Sequence, residues 1–284
     1  MRAVKTLFLL TALSILLVLG GNAIAGQQGM TFALMIAVVM NGIAYFFSDK
    51  IALRSSGAQP VTREQLPRLY EVMERLVAKA QLPMPKLYVI PQPAPNAFAT
   101  GRNPSHASVA VTAGLMELMN DDELEGVIAH ELSHVRNYDI LITSIAATLA
   151  GAITWIASMG RWAMIFGGYG NSRDNRNGGG LAALLMLIVA PIAALVIQLG
   201  ISRQREFAAD ASGARMVGHP YGLVSALEKL GAYNKRIPMD VPPATASLFI
   251  VAPLSAGQVF SGLFSTHPPL SERIAVLRNM TVTR

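Results

Sequence analysis

His130, Glu131 and His134 have the types and spacing to hold a metal ion with a base beside it. Residues four apart on a helix share a face, so the two imidazoles can converge on one cation. Glu131 lies one step round the helix, beside that cation, where it can take a proton from a metal-activated water. The flanking Val127, Ile128, Ala129 and Leu132 are apolar, as for a helix that crosses a core. A catalytic zinc takes three protein ligands and leaves a fourth position open. The chain of 284 residues has no cysteine, so the third ligand must be another His, Asp or Glu. The best candidate lies in Arg205-Glu206-Phe207-Ala208-Ala209-Asp210. Glu206 would complete the metal shell, and Asp210, four residues on, would hold a ligand histidine's second N–H. Small residues at Ala208, Ala209, Ala211 and Gly213 imply close packing there, which disfavours a solvated acidic face.

Glu131-Leu132-Ser133-His134 also reads as the Glu-x-x-His of a di-iron carboxylate bundle, which needs a second such pair from another helix. No other glutamate has a histidine three residues on. The remaining histidines are less informative. His106 sits in the polar turn Asn103-Pro104-Ser105-His106, and His219 precedes Pro220; both read as surface residues. His267 stands in Ser265-Thr266-His267-Pro268-Pro269, ahead of a helix through Ser271, Glu272 and Arg273.

The elements that must position these groups follow from caps and apolar runs. Asn120-Asp121-Asp122 caps the metal-ligand helix and puts acid in its first turn. Thr62-Arg63-Glu64-Gln65 has a capping-box pattern, and Leu66, Leu69, Tyr70, Met73, Leu76 and Val77 then recur at helical spacing. Pro85 to Ile90 and Ala107 to Thr112 read as short strands.

Composition places this domain at a membrane. Hydrophobic residues make up 52% and charged residues 14%, against about a quarter charged in soluble domains; mean hydropathy is +0.42. Thr6 to Ser48 carries no charge and is long enough for two spans turning between Gly20 and Gly29, since one span needs ~20 residues. Arg2, Lys5, the apolar run and Ala23-Ile24-Ala25 also suit a cleaved leader, but a second apolar run follows at once. Ile140–Gly160 and Leu181–Ile201 form a second charge-free pair around the Gly-rich loop 167–180. Val241 to Ser271 lacks full charges but contains Pro253, Gly257 and Gly262, and reads as packed or membrane-skimming. Residues 1–48 are thus an N-terminal hairpin, 49–139 the first part of a catalytic domain, 140–201 a second hairpin, and 202–284 the rest of that domain. Arg2, Lys5, Lys50, Arg54, Arg136, Arg203 and Arg205 flank the apolar runs on one side, which places both ends and the polar domain in the cytoplasm. Arg161, Arg173 and Arg176 on the other side leave open a second hairpin that enters the bilayer without crossing it. The net charge of +6 has no basic–aromatic cluster behind it, so nucleic acid is not an expected partner. A metal-binding transporter or scaffold is the rival class. Its pathway would place ionisable groups within the spans, and these spans have none. The sequence leaves oligomeric state open.

The chain resembles the HtpX membrane zinc proteases, related more distantly to the CAAX prenyl proteases. The resemblance covers the N-terminal hairpin, Asn96-Ala97-Phe98-Ala99-Thr100-Gly101, His130 to His134, the second hairpin, Arg205 to Asp210, and His267-Pro268-Pro269. It implies a mainly α integral membrane protein: about four transmembrane helices plus a zincin-like (gluzincin) α+β catalytic domain with a small sheet. It implies one Zn2+ held by His130, His134 and Glu206, with Glu131 as general base. Asn96 is expected on an edge strand facing substrate, and His267 as a stabiliser of the transition state. The implied setting is a bacterial inner membrane. The implied partners are the lipid bilayer and unfolded or membrane proteins, cleaved in quality control.

Overall fold

The computed structural model describes residues 2–149, 151, 203–234, 236, 239, 241, 243–251 and 268–282. Most of the second hairpin, the Gly-rich loop 167–180 and His267 lie outside the described residues.

The charge-free N-terminal run forms helix α1, Arg2–Ser55. A straight helix would set residues 27 apart about 40 Å from each other, yet Asn41 Nδ2 donates to Ser14 Oγ at 2.8 Å across that separation. The helix therefore folds back on itself. Gly26 is the reversal point, with φ of +59°, a conformation that glycine adopts without the Cβ penalty. The reversal at Gly26 falls within the stretch Gly20–Gly29, where the sequence predicts a turn. Its second arm, Gly26–Ser55, is the one helix among the described residues long and apolar enough to cross a membrane. Phe32, Leu34, Val38, Val39 and Phe46 are exposed on it, while Ala37, Ala44 and Ala52 are buried. Bulky residues thus face outward and small ones face the neighbouring helices, the usual arrangement in lipid. At the start of the stretch 140–201, expected to form a second hairpin, the structure describes the short apolar helix α5, Asp139–Leu149. Its Ile145, Ala146 and Leu149 pack on Ala44, with Leu10 and Leu17 alongside.

The polar domain is mostly helical around one sheet. Helix α2 (Pro67–Ala80) buries Leu69, Val72, Met73 and Leu76, the i, i+3, i+4, i+7 stripe of a core-facing helix. Each such side chain contributes roughly 1.5–3 kcal/mol of burial. The capping-box residues form a separate turn ahead of it. Thr62 N–H donates to Gln65 Oε1 at 2.9 Å, and α2 starts afresh with Leu66 as its uncapped N-cap. Pro67 is the reason: lacking an N–H, it cannot continue a helix begun at Thr62, but it fits a first helical position.

Strands β1 (Gln59–Pro60), β2 (Lys86–Ile90), β3 (Ala97–Gly101) and β4 (Ala107–Thr112) form a sheet ordered β1-β2-β4-β3. β2 and β4 are parallel, and β3 is antiparallel to β4 at the edge. β4 is buried along its whole length, so it reads as an apolar run rather than an alternating pattern, whereas β2 is buried only at Leu87 and Ile90. After α3 (Ala113–Leu118), Asn120 caps α4 (Asp121–Arg136) in a reciprocal capping box with Glu123. Helix α4 runs through the core, with Leu124, Val127, Ile128, Ala129, Leu132 and Val135 buried. It packs against α6 (Arg203–Val217) and α7 (Tyr221–Asn234). At the α4–α6 crossing a Cβ on Gly213 would lie 3.0 Å from His130 N. Glycine there lets α6 approach at the level of the metal histidine. A short helix α8 (Pro243–Ala246) leads into buried Leu248, Phe249, Ile250 and Val251, so this part of the 241–271 stretch is packed core. Helix α9 (Leu270–Arg278) closes the domain.

Candidate metal centre and active site

The crossing of α4 and α6 assembles the centre. His130, Glu131 and Glu206 are buried, and His134 is partly so. His130 Nε2 and His134 Nε2 stand 3.3 Å apart. Glu206 Oε1 is 3.5 Å from His134 Nε2, and its Oε2 is 3.7 Å from His130 Nε2. Four ligands set tetrahedrally at zinc's bond lengths of about 2.0–2.2 Å are about 3.3–3.6 Å apart. Three donors converge at close to that spacing, and their two imidazoles and one carboxylate are a zinc-type set. The residues therefore fit the metal that the resemblance implies.

Each histidine is oriented from behind. His130 Nδ1 lies 2.8 Å from Asp210 Oδ1, and His134 Nδ1 lies 3.5 Å from Asp139 Oδ2. A carboxylate accepting from Nδ1–H leaves the Nε2 lone pair for the cation. Burial alone would depress the His134 pKa, but Glu206, Asp139 and Glu131 outweigh it and raise it to about 9. The surrounding carboxylates thus favour positive charge at this site. Burial would raise Asp210, yet the Arg273 guanidinium and His130 hold it at about 2. For Glu131 burial wins and pushes the carboxyl up, with Glu206 adding to the rise; His130, His134 and the Ala99 backbone hydrogen bond oppose it. A carboxylate with a raised pKa suits a general base, whose ideal value lies near the working pH. The cleft around these groups is lined by Ala99 of edge strand β3, Thr143 of α5, and Ser247, Leu248 and Ile250.

Residues 63–281 match the sequence pattern of Peptidase family M48. The chain belongs to that family. It is 57% identical over 274 residues to a "Protease HtpX homolog" of Desulfatibacillum aliphaticivorans, covering 96% of this chain and 88% of that one. A protein of the same description from Pelotomaculum thermopropionicum is 50% identical over 282 residues, covering 99% of this chain and 100% of its own length. One from Aquifex aeolicus is 48% identical over 258 residues, covering 89% and 85%. The fold is similar to that of S. mikatae Ste24p in its crystal structure, with a TM-score of 0.52 and 21% identity. That match covers 97% of this chain and 65% of the other. Family and relatives together make this M48 chain a membrane metalloprotease.

The structure brings His130, Glu131, His134, Glu206 and Asp210 together. It does not bring Asn96 to the cleft. Asn96 lies just before β3, and its side chain is spent on the backbone of Val251 and of the adjoining Ala97, whose N–H donates to Oδ1 at 3.1 Å. Its Nδ2 donates to Val251 O at 2.8 Å and its Oδ1 accepts from Val251 N at 3.4 Å. Asn96→Ala would leave buried backbone groups unpaired, at a cost of about 1–3 kcal/mol. A lowered melting temperature in detergent is expected, with little change in KM; a raised KM at unchanged stability would instead assign Asn96 to substrate.

Two residues escaped the sequence. Asp139 backs His134 from the start of α5, five positions on, where no helix periodicity relates them. Arg273 reads as an ordinary helix charge, yet it is 0% exposed. Its signal was its place beside Leu270, Ile274 and Leu277, on the apolar side of a short helix.

Proposed function

We propose that the chain is a zinc-dependent endopeptidase of a bacterial inner membrane that cleaves unfolded or damaged membrane proteins. The convergence of two imidazole nitrogens and the Glu206 carboxylate, with Glu131 beside them, carries this reading. His130, His134 and Glu206 hold one Zn2+. When bound, zinc supplies Lewis acidity, which activates water and polarises the scissile carbonyl. Glu131 takes the proton of the attacking water and delivers it to the leaving amine. Asp210 and Asp139 keep the two imidazoles in their ligating tautomers. Strand β3, at the sheet edge beside the cleft, offers backbone groups to an extended peptide. His267 follows the resemblance as a hydrogen-bond donor to the developing oxyanion, and Asn96 supports the edge strand from behind.

The topology follows from the same site. His130 and Glu206 lie on opposite sides of residues 140–201 in sequence and must share one side of the bilayer. An even number of crossings between them satisfies this, giving four spans in all, with both ends and the catalytic domain in the cytoplasm. The domain boundaries at 49, 140 and 202 fall where the apolar runs begin or end. A transporter draws no support from the ionisable cluster, which sits on α4 and α6 outside α1.

A proteolysis assay on casein and on an unfolded membrane protein tests the reading. Activity should vanish with a zinc chelator and return with added Zn2+. Cleavage that persists after complete metal removal would refute it.

A further inference from the structure

Arg273 is among the largest side chains sealed from solvent. A guanidinium in such a place is tolerated only when its donors are used. Here Nε donates to Asp210 Oδ2 at 2.8 Å, Nη2 to Asp210 Oδ1 at 2.7 Å, and Nη1 to the Ile250 carbonyl at 2.9 Å. The two-pronged grip fixes the plane of the Asp210 carboxylate, which a single contact would leave free to rotate.

Asp210 Oδ1 is shared. It takes Nη2 of Arg273 from one side and Nδ1 of His130, at 2.8 Å, from the other. Nη2 and Nδ1 stand 3.4 Å apart. A guanidinium has no acceptor, so the two nitrogens are co-donors to one oxygen rather than partners of each other. This fixes His130 with its proton on Nδ1 and its lone pair on Nε2, aimed at His134 and Glu206. The third bond ties the same side chain to Ile250, whose N–H donates to Ala97 O of the edge strand at 3.0 Å.

We propose that Arg273 is a positioning residue: it locks Asp210 in the orientation that makes His130 a metal ligand, and joins that lock to the cleft wall at Ile250. The proposal rests on the metal-centre reading above.

Zn2+ affinity of the full chain in detergent, measured by competition with a chromophoric chelator, tests it alongside the visible spectrum of the Co2+-loaded protein. Arg273→Met and Arg273→Lys should each weaken Zn2+ binding about 10–100-fold, the loss typical when a partner behind a ligand is removed. Both should alter the Co2+ spectrum. Lysine restores the charge but not the fork. Asp210→Asn should cost a similar factor, and the double variant Asp210→Asn/Arg273→Met no more than the worse single one, because both act through one contact. A folded Arg273→Lys chain that binds Zn2+ within about threefold of wild type, far short of the expected loss, with an unchanged Co2+ spectrum, would overturn the proposal. Failure of both Arg273 variants to fold would overturn it too, by making the residue a fold element. A wild-type chain that binds no Zn2+ would instead sink the metal-centre reading itself.

Discussion

Glu131→Gln is expected to leave the metal content unchanged and to cut peptide hydrolysis by at least about 10²–10⁴-fold, the range for a positioned general base. Glutamine has nearly the same shape. Its carbonyl oxygen can still accept the backbone hydrogen bond that Ala99 makes to this side chain, so the helix and cleft should hold. What is lost is the carboxylate that receives a proton. The loss should fall on kcat, with KM close to wild type, because the change affects a proton transfer and not substrate docking. Hydrolysis near the wild-type rate by purified Glu131→Gln protein would remove Glu131 from the proposed chemistry.

Glu206→Ala should act one step earlier, on the metal. The carboxylate is the sole candidate ligand from α6, set 3.5 and 3.7 Å from the two imidazole nitrogens. Removing a ligand outright should weaken Zn2+ binding by more than the roughly 100-fold that loss of a supporting partner costs. Activity should fall with it and recover in part at high Zn2+. Elemental analysis of the purified variant reads this directly; full zinc occupancy would require a different third ligand. Glu131→Gln keeps metal and loses turnover, whereas Glu206→Ala loses metal first, so the pair separates proton transfer from coordination.

The centre was legible because its spacing is local. His130 and His134 meet by helix geometry alone, and Asn120 marks where that helix begins. Glu206 and Asp210 came from the same rule applied to a second helix, with the small residues of α6 signalling close approach. The structure adds the crossing at Gly213, which no spacing within one helix contains. Asp139 and Arg273 reach the centre by tertiary routes. For Arg273, charge on a helix usually means solvent, and only the three-dimensional partner Asp210 reverses that expectation. Asn96 shows the opposite case. The family resemblance implies that Asn96 faces substrate; in the structure its side chain pairs with backbone 155 residues away, a contact that no local pattern announces. The sheet was read at β2 and β4 because their residues are β-branched. β1 is two residues long, and β3, with its alanines and a glycine, lacks the strand preference that would announce it.

The order in which the parts of the centre occur along the chain bears on its synthesis. His130 and His134 leave the ribosome first; Glu206 follows roughly seventy residues later and Arg273 later still, an interval of several seconds at about 5–20 residues per second. Through that interval the nascent chain has a histidine pair with no third ligand and no lock on Asp210. A protease completed only after its second apolar segment has been made, and that segment's fate at the membrane decided, is inert while unfinished. Prematurely terminated chains would share that silence, so the sequence order itself keeps truncated chains inactive.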